Sequence, residues 1–394
     1  MRKGILGVLL FFSGYNGMGQ TTVTFDSLLS TAFRNHPAIL QSQQEILQAE
    51  QLKKNSFNLP NPEFGIETPS HDFGWSVSQS IEFPLVYVNQ SKLNSKNVEL
   101  MKTRGDISKS ELTTAVRNGY LQLQFALAQN NEFKLQDSLF HALSDANDAR
   151  YAAGQIGLLE KLNSDNAYQN KHNNFLQAQT DFQNAQQQLH ILTGVEISQL
   201  IPADSLIKIN VTPALLQDSA LTALSPVMRL AMQNSSVALQ NWKLEKSKLF
   251  PGFFGTYFND NGRHEQITPS RLDLGISIPL WFWSYSGKIK AAKYQWKSAN
   301  YQWMQTELSL NAQWQDTEAE YKKAFSSLQY FESSAMPQAK TIIDAATRSY
   351  KAGEISYVEL LQNLNTAFET RLNYLSVLKN YNQSVIRLLK LLGQ

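Results

Sequence analysis

Residues 73–83 read FGWSVSQSIEF, and this stretch decides the class of the fold. Large apolar side chains alternate in it with small or polar ones, which is the period of a β-strand with one apolar face. Residues 63–68 alternate in the same way, and the short polar segment between the two stretches predicts a turn. Residues 271–278 show the pattern again, beside a less regular partner at residues 252–258. The sequence therefore predicts four one-sided strands.

Landmarks of the first half of the chain return in the same order in the second half. The matched pairs are Pro60 and Pro251, Pro84 and Pro279, Gly154 and Gly353, and Gly194 and Gly393. Self-similarity of this kind marks a repeated structural unit. We therefore expect one unit at residues 24–194 and a second at residues 218–394, joined by a linker at residues 195–217.

Each pair of strands is followed by a long stretch with the pattern of helices that pack side by side. In residues 175–192 and 361–392, apolar side chains recur alternately every three and four positions, which predicts coiled-coil seams. Two positions of the second seam are polar, Arg371 and Asn382. Gly154 and Gly353 interrupt the helical stretches, so we expect each unit to end in a long antiparallel helical hairpin.

Residues 1–19 have the features of a secretory signal peptide, with Arg2 and Lys3 before an apolar stretch at residues 5–12. A short N-terminal helix is the other interpretation of this segment. The sequence contains no cysteine, which excludes disulfides and thiolate metal sites. No later stretch approaches the roughly 20 apolar residues that a membrane-spanning helix requires. An exported chain of this kind that sits in a membrane must do so through its strands.

Four one-sided strands cannot stand alone in lipid, because an open sheet edge leaves backbone N–H and C=O groups unpaired. Three chains that share one barrel would close twelve strands, a number within the range of membrane barrels. We therefore predict a mixed α and β membrane protein, in which a trimeric 12-stranded β-barrel is continued by an α-helical barrel of coiled-coil hairpins. Trp281, Phe282 and Trp283 follow the fourth strand and would belong to an aromatic girdle. Packing of the strand-to-helix junction is the other role open to these three residues.

The sequence offers little support for an enzyme or for a nucleic-acid-binding protein. Its formal net charge is +2, and it has no basic stripe. It has no phosphate-binding glycine loop and no Gly-x-Ser-x-Gly elbow, and its six histidines are scattered without the spacing of metal ligands. We therefore expect no catalytic activity, cofactor, metal site or nucleic-acid partner. A secreted, soluble coiled-coil structural protein remains an alternative to a membrane channel.

The order of motifs resembles that of the TolC-type outer-membrane efflux proteins. Asn-His-Pro, a helix, Leu-Pro-Asn-Pro-Glu, two strands, a long helix, Tyr-Ala-Ala-Gly, a second long helix and Leu-Thr-Gly follow one another, and the arrangement is given twice. Residues 59–63 and 79–83 resemble the branch of the family that works with heavy-metal cation pumps. The resemblance implies a homotrimer in outer-membrane lipid with a periplasmic helical extension. The channel of a type I protein secretion system shares this fold and remains a second alternative.

The resemblance also implies a function and partners. The chain would be the exit duct of a tripartite efflux pump, and a periplasmic adaptor protein and an inner-membrane RND-type pump would meet its helical tips. We call residues 151–158 the first tip and residues 350–357 the second tip. By the resemblance, Tyr151, Gly154, Gly353 and Ile355 mark the segments where the adaptor docks. Helix reversal at a glycine that accepts the left-handed conformation is the simpler role for these segments.

Three further residues receive roles from the resemblance. Glu160 and Glu359 each lie six positions after a tip glycine, where they would form a ring of carboxylates at the periplasmic entrance. An acid in the first turn of a helix, favoured by the helix dipole, is the other interpretation of both. Tyr350 matches a tyrosine that helps to hold the entrance closed. Because Ile355 stands where the compared family member has an arginine, we expect the latch to differ.

Overall fold

The computed structural model describes residues 22–67, 74–212, 225–260, 270–280 and 282–394. The predicted signal peptide, the turn after the first strand, Trp281 and part of the predicted linker lie outside these residues. The elements in chain order are α1 (Phe25–Asn35), α2 (Pro37–Lys54), β1 (Glu63–Glu67), β2 (Gly74–Ile81), α3 (Pro84–Ala152), α4 (Leu158–Thr193), a short 3-10 helix (Ile197–Gln199), α5 (Pro226–Ser247), β3 (Gly252–Asp260), β4 (Ser270–Ser277), α6 (Phe282–Tyr330), a π-helical segment (Phe331–Ala335), α7 (Met336–Lys351) and α8 (Tyr357–Leu391).

The four strands form one antiparallel sheet in the order β1-β2-β3-β4, which confirms the prediction of four strands. Side chains that lie opposite one another across the sheet share a face, because successive residues of a strand point to opposite sides. One such row consists of Phe64, Val77, Tyr257 and Leu272, and the next consists of Glu63, Ser78, Thr256 and Asp273. The sheet therefore has one apolar face and one face that is mostly small or polar.

Two aromatic residues on the polar face explain why the third strand looked irregular in the sequence. Phe254 lies opposite Gly275 in β4, and Phe258 lies opposite Arg271. The guanidinium carbon of Arg271 lies 4.7 Å from the centroid of the Phe258 ring. A β-carbon added to Gly275 would lie 2.2 Å from Cζ of Phe254, so the phenyl ring occupies the space that a side chain would need. The irregular residues are thus accommodated by their neighbours in β4.

The helices pack along one long element, α3. It has 69 residues and is therefore roughly 100 Å long. It contacts α1, α2, α4, α5 and α8. Near the middle of α3, Val116 and Leu123 pack with Leu28 of α1 and Leu189 of α4 in a buried apolar core. Among the helices of the described ranges, none is both long and apolar enough to cross a membrane.

The two polar positions in the second seam have partners far away in the sequence. Arg371 of α8 forms a 2.8 Å ion pair with Glu132 of α3, whose side chain is 7% exposed. The amide of Asn382 donates to the carbonyl of Ile207 and accepts from the backbone N–H of Ile209. Buried polar groups are costly unless they are paired, and both groups here are paired. Arg371 thus joins two helices, and Asn382 holds the segment after the first unit against α8.

The second long helical path is divided, whereas α3 is continuous. The π-helical segment Phe331–Ala335 separates α6 from α7, and Pro337 follows it at the start of α7. Proline has no backbone N–H and its ring crowds the preceding turn, so a helix interior adjusts around it. The wider π-type turn is one such adjustment. The division into two repeats stays a prediction, although a helix, two strands and two long helical arms occur in that order twice.

Candidate functional site

Both hairpins reverse direction at a glycine in the left-handed conformation. In the first tip Gly154 has φ of 70°, and in the second tip Gly353 has φ of 74°. The N–H of Gln155 donates to the carbonyl of Arg150, and the N–H of Gly154 donates to that of Tyr151, each at 2.9 Å. This pair of bonds is a Schellman motif, which satisfies the last carbonyls of the helix. The two predicted tips are therefore helix reversals, as the sequence indicated.

The second tip is closed by the same pair of bonds. The N–H of Glu354 donates to the carbonyl of Ser349 at 2.8 Å, and the N–H of Gly353 donates to that of Tyr350 at 3.1 Å. A β-carbon at Gly353 would meet no atom within 4 Å. The glycine is therefore needed for its backbone conformation and not for lack of space.

A hydrogen-bonded group joins α3 and α4, the helices on either side of the first tip, to the second tip. Nη1 of Arg150 donates to the hydroxyl oxygen of Tyr350 at 2.6 Å, and this hydroxyl donates to Oδ1 of Asn147 at 3.2 Å. Nη1 of Arg150 also lies 3.9 Å from a carboxylate oxygen of Glu160. Burial raises the pKa of the Tyr350 hydroxyl, while the charge of Arg150 opposes this rise. We call Asn147, Arg150, Glu160 and Tyr350 the tip link.

The tip link brings together two of the residues that the resemblance singled out, Tyr350 and Glu160. It also contains two that the sequence analysis missed, Arg150 and Asn147. Arg150 lies four positions before Gly154, where its matched position in the second half is Ser349. That difference between otherwise similar tips was the available signal. The sequence does not identify Tyr350 as the partner of Arg150, because the two residues are 200 positions apart.

Beneath the tip link the two hairpins share a small apolar core. Phe140 of α3 and Leu360, Leu364 and Phe368 of α8 are buried together in it. Ile355 packs against this core from the second tip. The position where the family member has an arginine thus serves here as an apolar contact. The arginine that reaches the tyrosine comes instead from the last turn of α3, just before the first tip. A latch that differs from that of the family member stays a prediction.

A second tyrosine strengthens the contact between the tips. The hydroxyl of Tyr357 donates to the hydroxyl of Ser164 on α4 at 2.9 Å, and both residues are buried. Its ring lies 6.0 Å from the ring of Tyr350. Burial raises the pKa of Tyr357 as well, so both phenols are neutral at physiological pH. Neutral phenols can donate the hydrogen bonds described here.

Glu359 serves as the cap of the helix that it begins. One carboxylate oxygen accepts from the backbone N–H of Ser356 at 2.8 Å and from its hydroxyl at 2.9 Å. The Ser356 hydroxyl in turn accepts from the N–H of Glu359 at 3.2 Å, which completes a capping box. These bonds lower the pKa of the Glu359 carboxyl, so it is ionised at neutral pH. The group is exposed and negative, as an entrance ring requires, and it lies in the first turn of α8, as the alternative interpretation also has it.

The two acids therefore have different surroundings. Glu160 has the cationic Arg150 beside it at 3.9 Å, whereas the carboxylate of Glu359 is bonded only to Ser356 among the described ion pairs and hydrogen bonds. The field of Glu160 is partly cancelled by its neighbour, and that of Glu359 is not. Of the two, Glu359 is the stronger candidate for attracting cations.

Of the remaining predicted residues, one lies in the first tip and the other three follow β4 at the sheet end of the molecule. Tyr151 is exposed beside Gly154 in the first tip. Trp283, at the start of α6, is 59% exposed in the single chain. Of the other two members of the predicted girdle, Trp281 is outside the described residues and the side chain of Phe282 is not described. Within the described ranges, no group of three or more histidine, aspartate and glutamate side chains has the arrangement of a metal site.

Comparisons with known proteins agree with this architecture. A family described as "Outer membrane efflux protein" matches residues 219–394. The cobalt-zinc-cadmium resistance protein CzcC of Cupriavidus metallidurans is 24% identical over 255 residues, which are 64% of this chain and 60% of CzcC. The match therefore spans less than two thirds of that relative's length.

Two solved structures share the fold. The CmeC outer membrane channel of Campylobacter jejuni superimposes with a TM-score of 0.78 at 14% identity, over 94% of this chain and 85% of CmeC. CusC superimposes with a TM-score of 0.77 at 16% identity, over 100% of this chain and 98% of CusC. At such low identity, these two structures establish the arrangement of helices and strands.

Proposed function

We propose that this chain is a member of the outer membrane efflux protein family, whose model matches residues 219–394, and that it is the exit duct of an efflux system in the outer membrane. The observation that carries the proposal is the one-sided sheet. On its apolar face Phe64, Leu272 and Leu274 are 67%, 64% and 77% exposed in the single chain. A contiguous apolar surface of this kind is unfavourable in water and suits a hydrocarbon layer.

The same sheet supports a trimer. In the single chain β1 and β4 each have one strand neighbour, so each presents a row of unpaired backbone groups. Lipid cannot satisfy those groups, whereas pairing of β4 with β1 of another copy does. Three copies give a closed barrel of twelve strands, and the helical hairpins extend from it into the periplasm as a tube. The tips then lie at the periplasmic entrance, where an adaptor protein and an inner-membrane RND-type pump would meet the channel.

Divalent metal cations are the cargo that we infer. The support is the similarity to CzcC, whose name refers to resistance to cobalt, zinc and cadmium. Glu359 is consistent with this cargo, because its carboxylate is exposed and ionised at the tip. In a trimer three copies would face the entrance, and rings of carboxylates favour cations in many channels.

The mass of the purified protein in detergent, measured by light scattering, tests the assembly first. A trimer supports the shared barrel, whereas a monomer would leave two open strand edges in each chain and contradict it. Conductance of the trimer in planar bilayers then tests the duct, and the reversal potential in a salt gradient tests cation preference. Glu359→Gln should reduce that preference. Glu369→Gln, the same change at an exposed position of the same helix, is the control.

A further inference from the structure

Positive charge is concentrated on the two helices that adjoin the second pair of strands. Residues 240–248 and 282–306 contain seven lysines and one glutamate, although the whole chain has a net charge of only +2. The glutamate, Glu245, is already paired with Lys248 at 2.6 Å. The remaining six lysines are exposed, and we call them the lysine collar. They are Lys243, Lys246, Lys288, Lys290, Lys293 and Lys297.

The lysine collar lacks acidic partners in the part of the chain that the structure describes. The lysine ion pairs found there involve other lysines. Elsewhere on the surface, basic residues alternate with acidic ones, and many of them are paired. Unpaired charges of one sign that lie close together repel one another, so an anion bound among them lowers their energy.

Two stacked tryptophans form the centre of the collar. The rings of Trp242 on α5 and Trp296 on α6 are 5.4 Å apart and within 8° of parallel. The ammonium group of Lys246 lies 4.8 Å from the centroid of the Trp242 ring, and that of Lys293 lies 5.9 Å from it. Contact with the ring face favours a cation and restrains its side chain. Two ammonium groups from different helices are thus held near one ring.

The charged groups at this place are all hydrogen-bond donors. An ammonium group has three N–H bonds and no acceptor. Nε1 of Trp242 is buried and has no acceptor among the described residues. A ligand that fits such a place is an anion rich in acceptor oxygens, and phosphate esters have this chemistry.

The position of the collar along the helices indicates where such a ligand would be. Lys246 is in the last turn of α5, shortly before β3 begins at Gly252. Lys288 lies about 9 Å along α6 from its first residue, at 1.5 Å per residue. The headgroup layer is about 5 to 7 Å thick on each side of the hydrocarbon core, and charges act over a further 8 to 10 Å in physiological salt. Lys246 and Lys288 therefore lie near the depth of the lipid headgroups if the strands span the hydrocarbon, and Lys293 lies about 8 Å further along α6.

We propose that the lysine collar binds the phosphate groups of anionic phospholipids in the periplasmic leaflet of the outer membrane. The inference rests on the proposed function, because it requires strands that enter that membrane. Lysine supplies the charge, and the tryptophan pair supplies an aromatic surface of the kind that is enriched at membrane interfaces. Binding fixes the height of the channel relative to the leaflet from which its helices emerge.

The test uses the full chain, reconstituted into phosphatidylethanolamine vesicles with or without phosphatidylglycerol. The number of phosphatidylglycerol molecules retained by the extracted protein, and its melting temperature, are measured in both preparations. The double variant Lys246→Gln/Lys293→Gln should lower the apparent affinity for phosphatidylglycerol by roughly thirtyfold, from the attraction of each lysine to an anionic surface. The preference of the unmodified chain should weaken as salt is raised.

Two matched variants separate charge from folding. Lys340→Gln/Lys351→Gln removes two exposed lysines of α7, far from the strands, and should leave lipid binding unchanged. Lys246→Arg/Lys293→Arg keeps the charges and should retain the preference for phosphatidylglycerol. An equal preference in the unmodified chain and the collar glutamine variant would overturn the proposal.

Three other outcomes differ in what they overturn. Loss of binding to isolated peptidoglycan in the collar glutamine variant, with lipid binding unchanged, would assign the collar to cell-wall carboxylates and overturn the lipid assignment. A chain that inserts into neither type of vesicle would overturn the proposed function together with the inference. A chain that inserts and conducts ions but does not discriminate between the lipids would overturn the inference alone.

Discussion

Replacing Tyr350 by phenylalanine removes the one hydroxyl group that joins the tips through the tip link. This hydroxyl accepts from Arg150 and donates to Asn147, which is 1% exposed. A hydrogen bond to a charged group contributes about 1.5 to 3 kcal/mol when it is shielded from water. Because the Arg150 side chain is 41% exposed, we reduce its share to about 1 kcal/mol. Leaving the buried Oδ1 of Asn147 without a donor costs about 1 kcal/mol more.

The expected effect is therefore about 2 kcal/mol in each subunit, which changes the ratio of separated to joined tips roughly thirtyfold. Single-channel recording in planar bilayers measures this as a rise in conductance or in the time spent open. Tyr330→Phe, which removes the hydroxyl of an exposed tyrosine on α6, should leave the recordings unchanged. A double-mutant cycle with Arg150→Gln should show a coupling energy, since both changes remove the same bond.

Two results would refute this reasoning. The first is a Tyr350→Phe channel whose recordings match those of the unmodified protein. The second is an effect of the double variant that equals the sum of the two single effects, which would mean that Arg150 and Tyr350 act independently. Thermal unfolding of each variant distinguishes a released entrance from a general loss of stability.

Three further changes have expected outcomes. Hydrogen bonds to Ser356 lower the pKa of the Glu359 carboxyl below its ordinary value of 4.5. The helix cap and the cation preference should therefore persist as pH falls to 4.5 and be lost only as pH falls through the lowered pKa. Circular dichroism measures the loss of the cap, and reversal potentials measure the loss of cation preference. In Gly275→Ala the added β-carbon would lie 2.2 Å from Cζ of Phe254, so the ring must move. The free energy of unfolding should fall by about 1 kcal/mol, which thermal unfolding measures. Arg371→Leu should leave the buried carboxylate of Glu132 unpaired and cost about 2 to 3 kcal/mol, reduced from the value for a fully buried pair because Arg371 is 33% exposed.

Each of these changes has a control. Ser356→Ala removes the hydroxyl that bonds to Glu359, so it should move the loss of cation preference to a higher pH. Gly287→Ala adds a β-carbon that meets nothing within 4 Å and should not destabilise the helix. Arg371→Lys keeps a positive charge and should recover part of the loss. Equal stability of Arg371→Leu and the unmodified chain would contradict the assignment of the ion pair.

The strands and helix reversals could be predicted because their signals are local. Alternation over eight residues identifies a one-sided strand, and a glycine between two heptad patterns identifies a reversal. Partners that are distant in the sequence could not be predicted in this way. Arg371 and Asn382 are two polar positions in an otherwise apolar seam, and the sequence does not identify their partners. Arg371 is paired because α8 packs against α3, and Asn382 is paired because α8 also packs against the segment near Ile209.

The candidate site shows the same division. Gly154, Gly353 and Glu359 could be located from spacing, since each depends on its own turn of helix. The contact of Arg150 with Tyr350 depends on how two hairpins lie side by side, which spacing does not encode. The place of Glu359 in the first turn of a helix was one of the two interpretations, whereas its capping box with Ser356, three residues earlier, was a local signal that the sequence analysis did not use. What could not be read was that Glu160 has a cationic neighbour and Glu359 does not.

The interruption at Phe331–Ala335 gives the two long arms unequal stiffness. A sideways force on the first tip acts on a continuous rod of 69 residues, so it is transmitted along the whole length of α3 towards the sheet. The same force on the second tip acts on a lever arm of 16 residues, about 24 Å long, which ends at the joint before Pro337. A bend at that joint would move the α7 side of the second tip while α6 stays in place, within the limit set by α8, which continues without a break from the same tip for 35 residues.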